Sequence, residues 1–151
     1  MIVNFELVTD VQDLIRRDFT VADPNIVNPT NVNPLLDGEF VQLNPAYQII
    51  RANTGALGFA VFAERGRFDV QALGKTTVLF AKPYEADTRI YFASGLTLGG
   101  PLKISSTVTN TAVGNQQYSG LVNWDSGVVI GYVTRLPANN GGKLRFLKTI
   151  G

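Results

Sequence analysis

The 151-residue sequence contains neither cysteine nor histidine. Without cysteine, disulfides, iron–sulfur clusters and thiolate zinc sites are excluded. Without histidine, the chain lacks the commonest general base, the usual partner of a serine or cysteine nucleophile and the commonest transition-metal ligand. We therefore expect a protein that is not an enzyme and that uses no metal or cofactor.

Charge is also scarce. Charged residues make up 17% of the chain, 13 Lys and Arg against 12 Asp and Glu, where about 25% is typical of soluble globular proteins. No block of like charge exceeds the pair Arg16-Arg17, whereas binding to nucleic acid requires a clustered basic face. We expect no nucleic-acid partner, because a surface with so little charge favours association with other proteins.

Long apolar runs are missing as well. No stretch approaches the roughly 18 apolar residues of a membrane span, and MIVNFELVTD has neither the basic nor the apolar region of a signal peptide. We expect no membrane partner and no small-molecule substrate, and a protein made and released in the cytoplasm.

The acidic residues occur in close pairs, which are Asp10 with Asp13, Asp37 with Glu39, and Glu85 with Asp87. A glycosidase would need two such groups facing each other across a cleft. A turn before a strand and the start of a helix explain the pairs more simply. No calcium loop or phosphate-binding loop is present in the sequence.

The first 37 residues are predicted to form a strand, one short helix and an extended arm. Residues 2–8 alternate imperfectly, as a strand would. Thr9 and Gln12 have capping-box spacing ahead of apolar residues at helical intervals, which predicts a helix over about 11–18. From 20 to 37 the chain is rich in Asn and holds Pro24, Pro29 and Pro34, which favour extended backbone and remove hydrogen-bond donors.

The rest of the chain, residues 38–151, is predicted to be one β-domain. Short β-rich runs separated by Gly, Pro, Asn and Asp favour a small antiparallel β-barrel or sandwich. Gly131, inside GVVIGYVTRL, predicts a bulge or a sharp bend. The predicted strands are 39–43, 47–52, 58–64, 76–82, 88–93, 101–109, 116–122, 127–136 and 143–150.

The arm is the main candidate for an interface. It carries apolar residues that a disordered tail would lack, and extended segments can add to the sheet of a neighbour. The same residues would equally suit an arm wrapped around its own barrel. Trp124, in the predicted turn NWDSG, is a second candidate, which could either contact a partner or cap one end of the barrel. The predicted interface residues are Ile26, Val27, Asn28, Pro29, Val32, Pro34, Leu35, Leu36 and Trp124.

Three motifs resemble those of the head decoration, or capsid cement, proteins of tailed bacteriophages. They are Asp37-Gly38-Glu39 at a strand opening; a central turn with Gly95, Leu96, Gly99, Pro101 and Leu102; and a closing hairpin with Val129, Gly131, Val133, Thr134, Pro137, Gly142, Leu144 and Phe146. The resemblance implies a β-barrel or β-tulip domain on the exterior of the virion capsid, bound to the major capsid protein and to itself as a homotrimer. A protein that binds only the mature shell stabilises it.

Two other functions stay open on the sequence. A carbohydrate- or receptor-binding β-sandwich of a phage particle would use Trp124 and tyrosines as a glycan-binding face. A glycoside hydrolase without histidine would use Asp and Glu alone.

Overall fold

The computed structural model describes residues 4–23, 26, 34–62, 74–80, 82–110, 114–139 and 141–149. The protein is mainly β, with 50% strand and 3% helix. Among the described residues, Val11–Asp13 forms a 3-10 turn. The strands are β1 (Phe5–Leu7), β2 (Ile15–Thr20), β3 (Phe40–Leu43), β4 (Ile49–Arg51), β5 (Phe59–Ala60), β6 (Lys75–Phe80), β7 (Tyr84–Thr88), β8 (Pro101–Asn110), β9 (Gly114–Asn123), β10 (Gly131–Arg135) and β11 (Leu144–Lys148).

The largest element is a six-stranded antiparallel sheet with the order β1-β7-β11-β10-β8-β9, curled into a half-barrel. Side chains alternate across it, as the pleat requires. Leu144 and Phe146 of β11 are fully buried on the inner face. Leu147, which follows Phe146, is exposed on the opposite face. The main core fills this concave face, where Phe146 makes edge contacts with Phe40 and Tyr84.

Two smaller sheets, β2-β6 and β4-β3-β5, enclose a second core. An isolated bridge between Val61 and Val78 joins them on one side, and a bridge between Val21 and Ile49 joins them on the other. All four of these residues are buried in the second core together with Phe19 and Val41. The protein therefore confirms the prediction of a mainly antiparallel β fold with barrel-like curvature.

The predicted helix over about 11–18 is wrong. Thr9 does not cap a helix; its Oγ1 accepts a hydrogen bond from the backbone N of Glu85 at 2.8 Å. Asp10 caps only the 3-10 turn, by accepting from the backbone N of Gln12 at 3.0 Å. The chain then continues as β2, whose residues Ile15–Thr20 pair in register with β6.

An extended arm is also not supported by the structure. Val21 is buried, and the backbone N of Leu35 donates to the carbonyl of Ile26 at 2.7 Å. Ile26 and Leu35 pack against the second core, and Leu36 packs against a third buried cluster. These contacts agree with the alternative in which the segment covers its own barrel. Residues 24–25 and 27–33 lie outside the described residues.

All nine strands predicted after residue 38 share residues with observed strands, but the run 88–93 shares only Thr88 with β7. Its neighbour Tyr84–Thr88 forms β7 instead, while Tyr91 makes only an isolated bridge to Leu121. The bulge predicted at Gly131 lies nearby, between Val133 and Arg135. The proposed division at residue 37 stays a prediction, and both β1 and β2 pair with strands from beyond it.

Candidate functional site

A row of six side chains, four of them large, apolar and exposed, crosses the outward face of the six-stranded sheet. Tyr132 of β10 lies opposite both Pro101 and Leu147, and Leu147 lies opposite Glu85. Backbone hydrogen bonds add one residue at each end of the row. At one end the N–H of Trp124 donates to the Pro101 carbonyl, and at the other the N–H of Val8 donates to the Glu85 carbonyl. We call this set the outer row; its members are Trp124, Pro101, Tyr132, Leu147, Glu85 and Val8.

The outer row is mostly apolar and open to solvent. Val8 and Tyr132 are each 42% exposed, Leu147 is 38% and Trp124 is 37% exposed. Adjacent strands lie about 4.8 Å apart, so the row is about 24 Å long. Contiguous exposed apolar surface of this kind is typical of a surface that binds another molecule.

Charged residues border the outer row on one side. Arg145 donates two hydrogen bonds to Asp87, at 2.9 and 3.1 Å, and Arg135 donates a third at 3.3 Å. Farther along, Lys143 pairs with Glu6 at 2.8 Å. Arg145 has its pKa raised by its hydrogen bonds to Asp87. An apolar strip with a polar border has the arrangement of a protein interface, in which an apolar centre excludes water and a polar rim stays accessible to solvent.

Trp124 is held in a defined orientation at one end of the row. Its Nε1 donates to the Gly127 carbonyl at 3.0 Å, within the turn that follows β9. Beside it, Lys103 pairs with Asp125 at 2.5 Å, and the hydrogen bond from Lys103 lowers the pKa of Asp125. Trp124 lies in the connection between β9 and β10, and its contact with a partner stays a prediction.

The other predicted interface residues lie elsewhere. Ile26, Leu35 and Leu36 are half-buried against the protein's own cores, and Pro34 is half-buried. Val27, Asn28, Pro29 and Val32 lie outside the described residues. Three of the five tyrosines, Tyr84, Tyr91 and Tyr118, are buried in the cores, as core packing predicts, whereas Tyr47 and Tyr132 are exposed.

Glu39 is the most buried of the predicted acidic residues. It is 0% exposed, and both of its oxygens accept hydrogen bonds. Oε2 accepts from Arg51 Nε at 2.7 Å and from the Ser119 backbone N at 3.2 Å, and Oε1 accepts from the Leu36 backbone N at 3.1 Å. Burial raises the pKa of Glu39 above its usual value, against the opposing effect of Arg51. These contacts connect three parts of the chain, which are β4, β9 and the segment that precedes β3. Glu39 therefore has a structural role.

Lys148 is an unexpected inward-facing charge. It is 2% exposed, lies opposite Gly131 and Tyr84 on the concave face, and burial lowers its pKa to about 8. Within the described ranges, no three His, Cys, Asp or Glu side chains are grouped as a metal site would require. No described helix has the length and apolar character needed to cross a membrane.

The sequence contained a signal for the outer row that its strand patterns obscured. In LRFLK and GYVTR, apolar residues occupy both faces of the strand, and only the register separates buried Phe146 and Val133 from exposed Leu147 and Tyr132. Comparisons of the chain with models of protein families, with curated proteins and with solved structures found no match. The resemblance to decoration proteins therefore stays a prediction.

Proposed function

We propose that the protein is a virion structural protein that binds the exterior of a mature phage capsid and stabilises the shell. The outer row is the observation that supports this proposal most directly, because it offers a rigid apolar contact surface with a charged rim. In this proposal the partners are the major capsid protein and, on the shell, two further copies of the same chain. The β-barrel or β-tulip form of the resembling proteins is compatible with the half-barrel.

The mechanism is thermodynamic linkage. A protein that binds the mature lattice and not its precursor or its dissociated subunits stabilises that lattice by the free energy of binding. Because the same contact is repeated over the whole shell, a modest affinity at each position produces a large total effect. No bond needs to be made or broken.

A carbohydrate- or receptor-binding role on the particle is the second candidate. One observation favours it: Trp124 and Tyr132 lie on either side of Pro101 in the outer row and are both exposed. Aromatic side chains with an apolar body and a polar tip suit contact with sugar rings. The two roles would use the same surface and differ in the molecule that is bound.

The test is co-sedimentation of the protein with mature, undecorated shells of the virus that encodes it. The wild type should bind saturably, in a fixed ratio to the capsid subunit, and raise the melting temperature of the shell. Tyr132→Ser and Leu147→Ser should each weaken binding about 10- to 100-fold, since burying one large apolar side chain contributes about 1.5–3 kcal/mol.

Tyr47→Ser and Leu57→Ser are the matched controls, because these side chains are 77% and 54% exposed and lie outside the outer row. They should bind like the wild type. Protein that stays in the supernatant at micromolar concentration would refute the capsid role. Saturable binding to a glycan array, lost in Tyr132→Ser, would then support the second candidate.

A further inference from the structure

Two adjoining pockets lie at the loop that follows β10. The first has a volume of about 380 Å³ and the second about 350 Å³, each within the range of small-molecule sites. Leu136 and Asn139 line both, so the pockets are neighbours on the two sides of one loop. Neither pocket contains a member of the outer row.

The first pocket is cationic. Arg89, Arg135 and Lys143 line it, with Asn139 and Gly142, and no described lining residue is acidic. Two of these cations have a carboxylate partner just outside the lining, because Asp87 accepts one hydrogen bond from Arg135 as well as two from Arg145, and Glu6 pairs with Lys143.

Arg135 shares its carboxylate partner, Asp87, with a second arginine, Arg145. Asp87 forms ion pairs with both Arg135 and Arg145, and Glu6 forms one with Lys143. Glu85 interacts electrostatically with Arg145. The Arg135 side chain is 54% exposed and makes its contact with Asp87 at 3.3 Å, longer than the 2.9 Å contact of Arg145. Arg135 can therefore turn toward an incoming anion while Asp87 keeps the bidentate partner.

The second pocket is mainly apolar and has a rigid wall. It is lined by Tyr91, Ala93, Leu96, Leu136, Pro137 and Asn139. The Tyr91 hydroxyl donates to the Gly142 carbonyl at 2.6 Å, which links this wall to the backbone of the cationic pocket. This hydrogen bond joins a lining residue of one pocket to a lining residue of the other.

We infer that the two pockets together bind a small ligand, or a chain end, in which a carboxylate is joined to an apolar body. The planar guanidinium of Arg135 and the ammonium of Lys143 suit a carboxylate through charge-assisted hydrogen bonds, and the adjoining pocket accepts the apolar part. This inference does not depend on the proposed capsid role, since it concerns a different surface.

Titration of the ¹⁵N-labelled full-length protein, followed by amide chemical shifts, tests the inference. The probes are phenylacetate, which is a free small acid, and N-acetyl-leucyl-phenylalanine, which carries a peptide carboxyl end. Each is compared with its neutral amide. At least one acid should bind saturably, with a Kd of about 1 mM for a ligand of this size, and should shift Gly142, Leu136 and Ala93. The acid that binds more tightly identifies the source of the carboxylate.

Variants connect binding to the named residues. Arg135→Gln and Lys143→Gln should each weaken binding at least about tenfold. Lys103→Gln is the matched control, because Lys103 is also an ion-paired, mostly buried lysine, at 12% exposure against 19% for Lys143, and lies outside both pockets. Lys103→Gln should bind like the wild type. The exposed Arg135 keeps the test valid even where Lys143→Gln impairs folding.

Three results would overturn the inference. The first is no saturable shift up to about 50 mM of either acid, well above the expected Kd. The second is equal binding of the acids and their amides, or unchanged binding in Arg135→Gln. The third is inorganic phosphate binding as tightly as both acids, since the apolar pocket would then contribute nothing.

Discussion

Replacing Arg51 with methionine should destabilise the protein strongly, because it leaves the Glu39 carboxylate buried without its cation. Glu39 is fully buried, and Arg51 Nε lies 2.7 Å from its Oε2. Removing one partner of a buried ion pair costs about 3–5 kcal/mol. The Arg51 side chain is 24% exposed, so water replaces part of the lost contact, and we expect the lower end, about 3 kcal/mol. The melting temperature should fall by about 6–12 °C.

The loss should depend on pH. Because burial raises the folded-state pKa of Glu39 above the usual 4.5, the folded protein holds this proton more tightly than the unfolded chain does. The stability associated with Glu39 is therefore fully present below pH 4.5 and is lost as the pH rises through the folded pKa. Arg51 opposes the rise in pKa. Removing it moves the folded pKa higher, so the effect of Arg51→Met should be large at pH 7 and shrink to about half or less near pH 4.5.

Urea unfolding followed by circular dichroism, at pH 7 and pH 4.5, measures both quantities. Arg135→Met is the matched control: its side chain is 54% exposed, and its acceptor Asp87 keeps Arg145. That variant should lose less than about 1 kcal/mol, equally at both pH values. The reasoning is refuted if Arg51→Met costs no more than Arg135→Met, or if its cost is the same at both pH values.

Two further predictions concern the concave face of the half-barrel. Burial lowers the pKa of Lys148 to about 8, so the folded state binds fewer protons than the unfolded chain between pH 8 and about 10.4, and the free energy of unfolding should rise with pH across that window. Urea unfolding of Lys148→Met should show no such rise from this residue, and an unchanged dependence on pH would contradict the assignment. Gly131→Ala should lower the free energy of unfolding by about 3 kcal/mol, measured by thermal unfolding, because the added Cβ would clash with the backbone carbonyl of Leu147. The control Gly55→Ala, which has open space around it and a φ of 82°, should lose about 1 kcal/mol from backbone strain alone. Equal losses would show that the close approach at Gly131 is unimportant.

Strand positions were readable from the sequence because β-rich runs and turn residues act locally. Strand β2, which replaces the end of the predicted helix, was not readable, because Val11, Leu14, Ile15 and Phe19 recur at helical intervals. The choice was made by β6, which offers Ile15–Thr20 a partner in register and buries Phe19. That partner lies about sixty residues farther along the chain, where no local pattern can report it.

β7 was missed for a related reason. Its sequence YEADT has few β-branched or large apolar residues, and its inward side chains are Tyr84, Ala86 and Thr88. The strand forms because β1 and β11 pair with it on its two sides. Asp87, on the outward face, is tolerated there because two arginines neutralise it.

The predicted arm and the outer row differ in how much conformational entropy each would lose on binding a partner. An extended arm of the kind predicted from the sequence would lose conformational freedom on binding, and that loss would reduce the affinity it could supply. Pro101, Tyr132, Leu147 and Glu85 instead belong to paired strands, and Trp124 is hydrogen-bonded to its own turn. Their positions are set by the register of a sheet that is already folded, so binding through the outer row would order little that is not ordered beforehand. For a protein whose proposed task is to recognise one repeating lattice, a preformed surface on the half-barrel is the better candidate for the main contact.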